Sequence, residues 1–399
     1  MKPLISVHEA DRLIAHIRDD VPAIKCPLGK AAGRILREDL YADRPLPPFD
    51  RVMMDGYAIR FADLASSGAQ FTVTAQMMAG DAPDALSDAP GSAVEIMTGA
   101  VLPEGADTVI PYEATERTDD AFIIVDPSDV ELGQYIHRFG SDYCEGSVLV
   151  GQGCILGPAE LGVAASCGYA EVLVSVRPRI AVVGTGDELV PVDAKPLPHQ
   201  IRASNAVAME SALGMARFHV GQIDHWADDA EAGMARLREL LDQNDVIVIA
   251  GAVSKGQRDW IPEALDEEGE CIFHGVKQRP GKPMGMWRTA DGKTIFALPG
   301  NPVSALVGLH RYVIPFLKRR EGQVLPVAEA ALSEDVHFNP PLTWFLPVKI
   351  LADGTAQPTP VNNSGDYARL CAADGFVELD AASSRWTAGH VAPFYSWSK

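Results

Sequence analysis

Hydrophobic and polar positions change rhythm several times along the chain. In SVHEADRLIAHIRDDV, apolar residues recur at helical spacing behind Ser6, with Glu9 three residues on. That is the pattern of a capping box and predicts an N-terminal helix. PLGKAAGRILREDLYADRPLPPFD then runs into a Pro-rich connector at 45–48, which predicts a boundary. From about 49 to 140, short β-rich runs (FTVTAQMMAG, GSAVEIMTGA, DTVIPYE, AFIIVDP) alternate with Gly, Pro, Asp and Ser. This rhythm predicts an antiparallel β domain. In 141–175, Pro158 and Glu160 open a short helix.

From 176 to about 320 the pattern becomes an alternation. Strand RIAVVG, helix SNAVAMESALGMA, strand ARFHVGQI, helix DDAEAGMARLRELLDQ and strand DVIVIAG follow one another. A short helix around DWIPEALDEEG, strands CIFHGV and TIFALPG, and one long helix NPVSALVGLHRYVIPFLKR complete the region. Continuous apolar strands between amphipathic helices predict a parallel, doubly wound sheet. The tail, 326–399, returns to strands such as TWFLPVKI and GFVELD and reads as a small separate β domain.

Composition narrows the function classes. The 399 residues exceed one ordinary domain, and 47% hydrophobic with 22% charged suits a globular chain with sizeable cores. A formal charge of −20 argues against a broad nucleic-acid or anionic-membrane surface, so any anion would need focused bases, backbone amides or a metal. The six cysteines include no C-x-x-C, which argues against a zinc site or a disulfide framework. The N-terminus lacks the uninterrupted apolar core of a signal peptide, no apolar stretch is of membrane-spanning length, and the expected location is cytoplasmic.

In a doubly wound sheet, ligands sit beyond the carboxyl ends of the strands. Four loops expected there carry unusual residues. GTGDEL holds Gly184, Thr185 and Gly186 ahead of Asp187 and Glu188; GAVSKGQRDW supplies Gly251, Ser254, Lys255 and Asp259. QRPGKPMG brings Arg279 and Lys282, and LPGNPVSAL places Pro299, Gly300 and Asn301 at a helix start that can face an anion. Each loop also has a plainer reading. The acids fit a local cap, the bases fit a solvated turn, and GNP can open any helix. Together the four point to an anionic ligand with a hard cation. Asp187, Glu188, Asp228 or Asp259 would meet Mg²⁺, while Arg279, Lys282 and the glycine-loop N–H groups would meet phosphate. PPFDRVMMDGYAIR, with Asp50 and Asp55, fits an Asp-Gly hairpin on its own. IMTGAVLPEGADTVIPYE, with Thr98, fits a pair of loops.

These segments, together with RFGSDYCEGSVL and in this order, resemble the molybdopterin molybdenumtransferases, the bacterial MoeA proteins and the E domain of gephyrin. The resemblance implies an L-shaped, four-domain homodimeric subunit whose α/β domain resembles the molybdopterin adenylyltransferases. It divides the chain into 1–26 with 176–325 (α/β), 27–45 with 141–175 (linking), 46–140 (β-rich) and 326–399 (C-terminal β). It implies use of adenylylated molybdopterin and molybdate with Mg²⁺, release of AMP, and molybdenum left on the pterin dithiolene. Matched position by position, Asp55, Asp142, Glu188, Asp228 and Asp259 are functional carboxylates, with Glu188, Asp228 and Asp259 as metal ligands. Thr98, Lys282 and Ser364 fall on substrate-contacting positions, in a site shared between the α/β domain of one subunit and the β domain of the other. Molybdopterin adenylyltransferase and apo-molybdoenzymes are the implied protein partners.

Departures from the family pattern are specific. Ala252 stands at a glycine position, Lys255 adds a base, Arg279 replaces a lysine, His137 stands where arginine is usual, and FLPVKI lacks an arginine of some members. Three alternatives stay open at this stage. They are a pterin carrier without turnover, an adenylyltransferase, and tungstate in place of molybdate.

Overall fold

The structure is a computed structural model that describes residues 3–17, 21–251, 253, 260–323, 326–363 and 365–397. Ser6 accepts the Glu9 N–H (3.1 Å) and caps the helix Val7–His16, whose Val7, Ala10 and Ile14 are buried. The Glu9 carboxylate pairs with Arg12 (2.6 Å), so half of the predicted capping box forms.

The α/β sheet runs in the order Val220–Trp226, Ile180–Thr185, Val246–Ala250, Thr294–Leu298, Gly285–Arg288, Glu270–His274. Its three central strands are wholly buried, as two covered faces demand. Ile180 and Val182 pack on one side with Met209 and Leu213, while Ala181 and Val183 pack on the other with Leu237 and Ile261. The doubly wound architecture is therefore as expected, with three differences. Gly285–Arg288, which the apolar pattern does not single out, runs antiparallel to both neighbours. The strand expected at 216 begins at Val220, because Ala216 and Arg217 (φ 69°) terminate the preceding helix Ser204–Met215. The long final helix is Pro302–Gly308, a π-helical turn Leu309–Val313, then Ile314–Arg320. Pro315 has no N–H and its ring crowds the carbonyl four residues back, so the ladder widens there.

Residues 50–124 build a six-stranded sheet that is antiparallel except for Gln70–Met77 beside Ser92–Ile96. The excursion 78–91 carries the chain back to the same edge, which a purely antiparallel expectation did not include. Between the two units, Ala23–Pro27 pairs with Glu171–Ser175, and Leu40–Tyr41 with Val148–Val150, around Leu36, Leu156 and Val174. The C-terminal sheet is less separate than its texture suggests. Gln278–Arg279 pairs in parallel with Thr343–Ile350, and Phe345, Leu370 and Phe376 share the main α/β core.

Arg311, 8% exposed, joins these parts. Its guanidinium donates to both carboxylate oxygens of Asp11 (2.8 and 2.6 Å) and to Glu378 Oε2 (2.7 Å). Removing one member of a buried ion network leaves charge uncompensated. Arg311→Met is expected to cost about 3 kcal/mol in denaturant unfolding; an unchanged midpoint would show that these pairs do not hold the parts together. Next to it, His310 lies against the Trp397 ring (5.0 Å between centroids). Burial first, then the Lys318 charge, pushes its pKa down from 6.5 to about 4. A depressed folded-state pKa means that the unfolded chain takes the proton first, so this stability is present above pH 6.5 and is lost as pH falls toward 4. Over that window wild type should lose roughly 3 kcal/mol more than His310→Phe. Parallel stability curves for the two proteins would remove this assignment.

Candidate active site

The carboxyl ends of the parallel strands open into a cleft of about 1180 Å³. Its floor is made of loops that touch backbone to backbone. Gly251 has φ 120°, and a Cβ there would lie 2.4 Å from Thr185 Oγ1; a Cβ on Gly300 would lie 3.4 Å from the Gly251 Cα. A side chain at Gly251 would push its loop away from Thr185, while a Cβ at Gly300 would sit in van der Waals contact with Gly251. Among the described residues, Thr185 Oγ1 is buried without a hydrogen-bond partner. Asn205 Nδ2 donates to the Gly300 carbonyl (2.7 Å) and fixes the Pro299–Gly300–Asn301 turn. Asn301 occupies the N-cap position and Pro302 opens the helix, although the asparagine side chain makes no capping hydrogen bond.

The two acids of GTGDEL divide their roles. Asp187 Oδ1 accepts the Asp228 N–H (3.0 Å) and ties the two loops together, so in place of the expected local cap it makes a bond between distant loops. Glu188 folds back over Gly186, where a Cβ would lie 2.5 Å from its Oε2, and its side chain lines the cleft with Asp228.

The bases come from a turn fixed behind them. Gln278 Nε2 donates to the carbonyls of Pro280 (3.2 Å) and Gly281 (3.3 Å), while Tyr312 donates to Gln278 Oε1. This places Arg279 and Lys282 on the cleft wall; the Arg279 guanidinium lies 5.9 Å from the Phe338 ring centroid. Among the described residues, Lys282 forms no ion pair. Sequence reasoning missed Arg202, Ser204 and Asn205, which also line the cleft. The signal was RASNAV, because a helix opening at the carboxyl edge of such a sheet points its N–H groups at the ligand.

Of the expected site residues, the cleft gathers Gly184, Thr185, Gly186, Glu188, Asp228, Gly251, Arg279, Lys282, Pro299, Gly300 and Asn301. Ser254, Asp259 and Ser364, like Ala252 and Lys255, lie outside the described residues. Asp55 and Thr98 on the β-rich unit, and Asp142 just beyond it at the start of the linking segment, do not line this cleft. There, Asp55 Oδ1 accepts both the Thr98 N–H and its hydroxyl (2.7 Å each). Asp142 Oδ1 meets His137 Nε2 (2.8 Å), and Arg51 Nη2 meets His137 Nδ1 (3.1 Å). An arginine has no lone pair to offer, so Nδ1 is the acceptor and Nε2 carries the proton toward Asp142.

Comparison with known proteins resolves the family. The MoeA N-terminal region (domain I and II) matches residues 5–168, the Probable molybdopterin binding domain 181–319, and the MoeA C-terminal region (domain IV) 329–397. The molybdopterin molybdenumtransferase of Synechocystis is 38% identical over 371 residues, covering 92% of this chain and 93% of the relative. The chain belongs to the molybdopterin molybdenumtransferase family. The Staphylococcus aureus (strain MRSA252) molybdenumtransferase is 33% identical over 398 residues, 97% of this chain and 94% of that one. The crystal structure of the molybdopterin biosynthesis moea protein from Pyrococcus horikosii is 30% identical, with a TM-score of 0.82 and full coverage of both chains. This molybdenumtransferase-family chain is therefore a transferase with a role in molybdenum cofactor biosynthesis, on a multi-domain fold of α/β and β units. All six cysteines are free, and among the described residues no helix is long and apolar enough to cross a membrane.

The Thr98 N–H first, and then its hydroxyl, hold the Asp55 carboxyl below the usual range. Thr98→Val keeps the first contact and removes the second, so the Asp55 titration followed by NMR should move up toward the ordinary value. No movement would show that the hydroxyl does not act on the carboxylate.

Proposed function

We propose that the chain transfers molybdenum from molybdate to adenylylated molybdopterin, with cleavage of the pyrophosphate linkage and release of AMP. The observation that carries this reading is the meeting, in one cleft at the carboxyl edge, of Glu188 and Asp228 with Lys282, Arg279 and glycine-rich turns. A passive anion binder gains nothing from carboxylates beside its phosphates; an enzyme that pairs phosphate with a hard cation does. The donor set fits Mg²⁺, which takes one or two carboxylates together with substrate oxygens, so Glu188 and Asp228 would hold it, with Asp259 as third acid. When bound, the ion would neutralise charge on the phosphoryl oxygens.

The protein groups have separable tasks. Lys282 and Arg279 would bind the pyrophosphate oxygens and stabilise charge that grows on the leaving phosphate. The N–H groups at the start of Ser204–Met215, and those of Val303 and Ser304 behind Pro302, would orient the same anion. Thr185 Oγ1, buried beneath Gly251 and among the described residues without a partner, is a polar group held at the cleft floor.

In this reading the active unit is a homodimer. Asp55, Thr98 and Asp142 would complete the cleft of the partner subunit, with Ser364 of the C-terminal β unit near the oxyanion. The support is the surface around those acids, where Met53, Phe139 and Tyr143 are 52%, 56% and 51% exposed. Such a rim of large apolar side chains suits burial against a second copy. The four-part division into α/β, linking, β-rich and C-terminal β units belongs to the same reading, as does a cytoplasmic setting.

The direct test is AMP release from adenylylated molybdopterin with and without molybdate, in the presence of Mg²⁺. Molybdate-dependent release is expected, with Lys282→Ala slower by about a hundredfold. Binding without release would establish a carrier, and release that ignores molybdate would overturn the transfer step.

A further inference from the structure

Away from the cleft, at the opposite edge of the α/β sheet, bases gather where the linking unit meets the α/β unit. Arg177 precedes strand Ile180–Thr185 and Arg217 precedes Val220–Trp226; Arg34 and Arg37 come from the linking unit, and Lys318 from the last helix. Arg177 Nη2 donates to the Gly33 carbonyl (3.2 Å). Arg34 Nη2 donates to the Ser175 carbonyl (2.7 Å) and Arg37 Nη1 to Ser175 Oγ (3.2 Å). A Cβ on Gly33 would lie 3.9 Å from Arg217 Nη1 and 4.0 Å from Arg177 Nη2, so two guanidinium groups converge over one glycine.

Compensation is thin. Glu321, 6% exposed, is the acid that Arg177, Arg34 and Arg217 all act upon, and burial still raises its carboxyl above the usual range. Lys318 is held below the ordinary lysine range by burial and then by the charge of Arg217. The Arg34 Nε is buried and, among the described residues, without a partner. In a chain of net charge −20, this seam runs against the general field.

Backbone conformation adds an independent sign. Arg217 has φ 69°, at the position after the helix cap Ala216 where glycine is usual. Holding a residue with a Cβ there costs roughly 1 kcal/mol, and such strain collects at functional positions. The arginine is kept where its side chain reaches Gly33.

We propose that this seam is a second, non-catalytic binding site for a phosphate-type oxyanion, gripped by Arg177 and Arg217 with Arg34 and Arg37 behind them. Guanidinium forks match tetrahedral oxyanions, and a bound anion would relieve the like-charge repulsion. It would also bridge the linking unit to the α/β unit and stiffen their junction. The anion is either free phosphate or the phosphate of a nucleotide.

The test reads thermal midpoints at fixed ionic strength, in a Lys282→Ala background that removes the cleft's lysine from phosphate binding. Inorganic phosphate, compared with chloride, should raise the midpoint with saturation. Arg217→Gly relieves the backbone strain while deleting the guanidinium, so it should fold at least as well and need about tenfold more phosphate for half-saturation. Arg177→Gln should behave alike. AMP acting at lower concentration than phosphate would identify a nucleotide as the source; equal potency would identify the free anion. If chloride matches phosphate, or if neither Arg217→Gly nor Arg177→Gln shifts the phosphate response, the site does not exist.

Discussion

The buried guanidinium of Arg311 is the constraint from which the arrangement of the cleft follows. It holds Asp11 of the first helix and Glu378 of the C-terminal sheet, while the rings of Tyr312 and Tyr395 lie 4.9 and 5.2 Å from it. Burying one cation is worthwhile only when its charge is well compensated, as it is here by two carboxylates. The neighbouring Tyr312 hydroxyl donates to Gln278, and Gln278 in turn fastens the Pro280 and Gly281 carbonyls. A chain of contacts therefore runs from the ion network to the turn that carries Arg279 and Lys282.

The cleft resolves an apparent contradiction in its own sequence. Acids beside a glycine-rich anion turn would repel phosphate if all of them faced it. Asp187 is occupied with the Asp228 N–H and acts as a loop clamp, whereas Glu188 curls over Gly186 and stays on the lining. The adjacent position carries no side chain because the Glu188 carboxylate fills that space.

The same fold treats its charges differently at its two edges. At the carboxyl edge, bases and acids are interleaved on loops that could accept a ligand with both phosphate and cation. At the amino edge, arginines from two units face one buried glutamate. Strand direction accounts for the first pattern, since parallel strands deliver all their exit loops to one side. The second arises only where the linking unit docks, and no local rule of strand order requires it.

Much of this was legible in one dimension. The buried runs IAVVGT, VIVIA and TIFAL and the alternating helices specify a parallel, doubly wound sheet, because a strand covered on both faces must be apolar throughout. From that sheet, the meeting of Glu188, Asp228, Arg279 and Lys282 follows by topology. Tertiary structure alone decided the rest. Gly285–Arg288 is antiparallel because the tight turn 289–293 returns the chain directly along Thr294–Leu298, and Pro315 turns a uniform helical pattern into a π-helical step. Arg202 and Asn205 join the cleft through a helix start whose direction depends on packing. Asp187 and Glu188 are adjacent and chemically alike in the chain, yet one clamps and the other lines. Hydrophobic period encodes which faces are buried, whereas a polar side chain's role is set by which partner the fold brings within hydrogen-bonding reach.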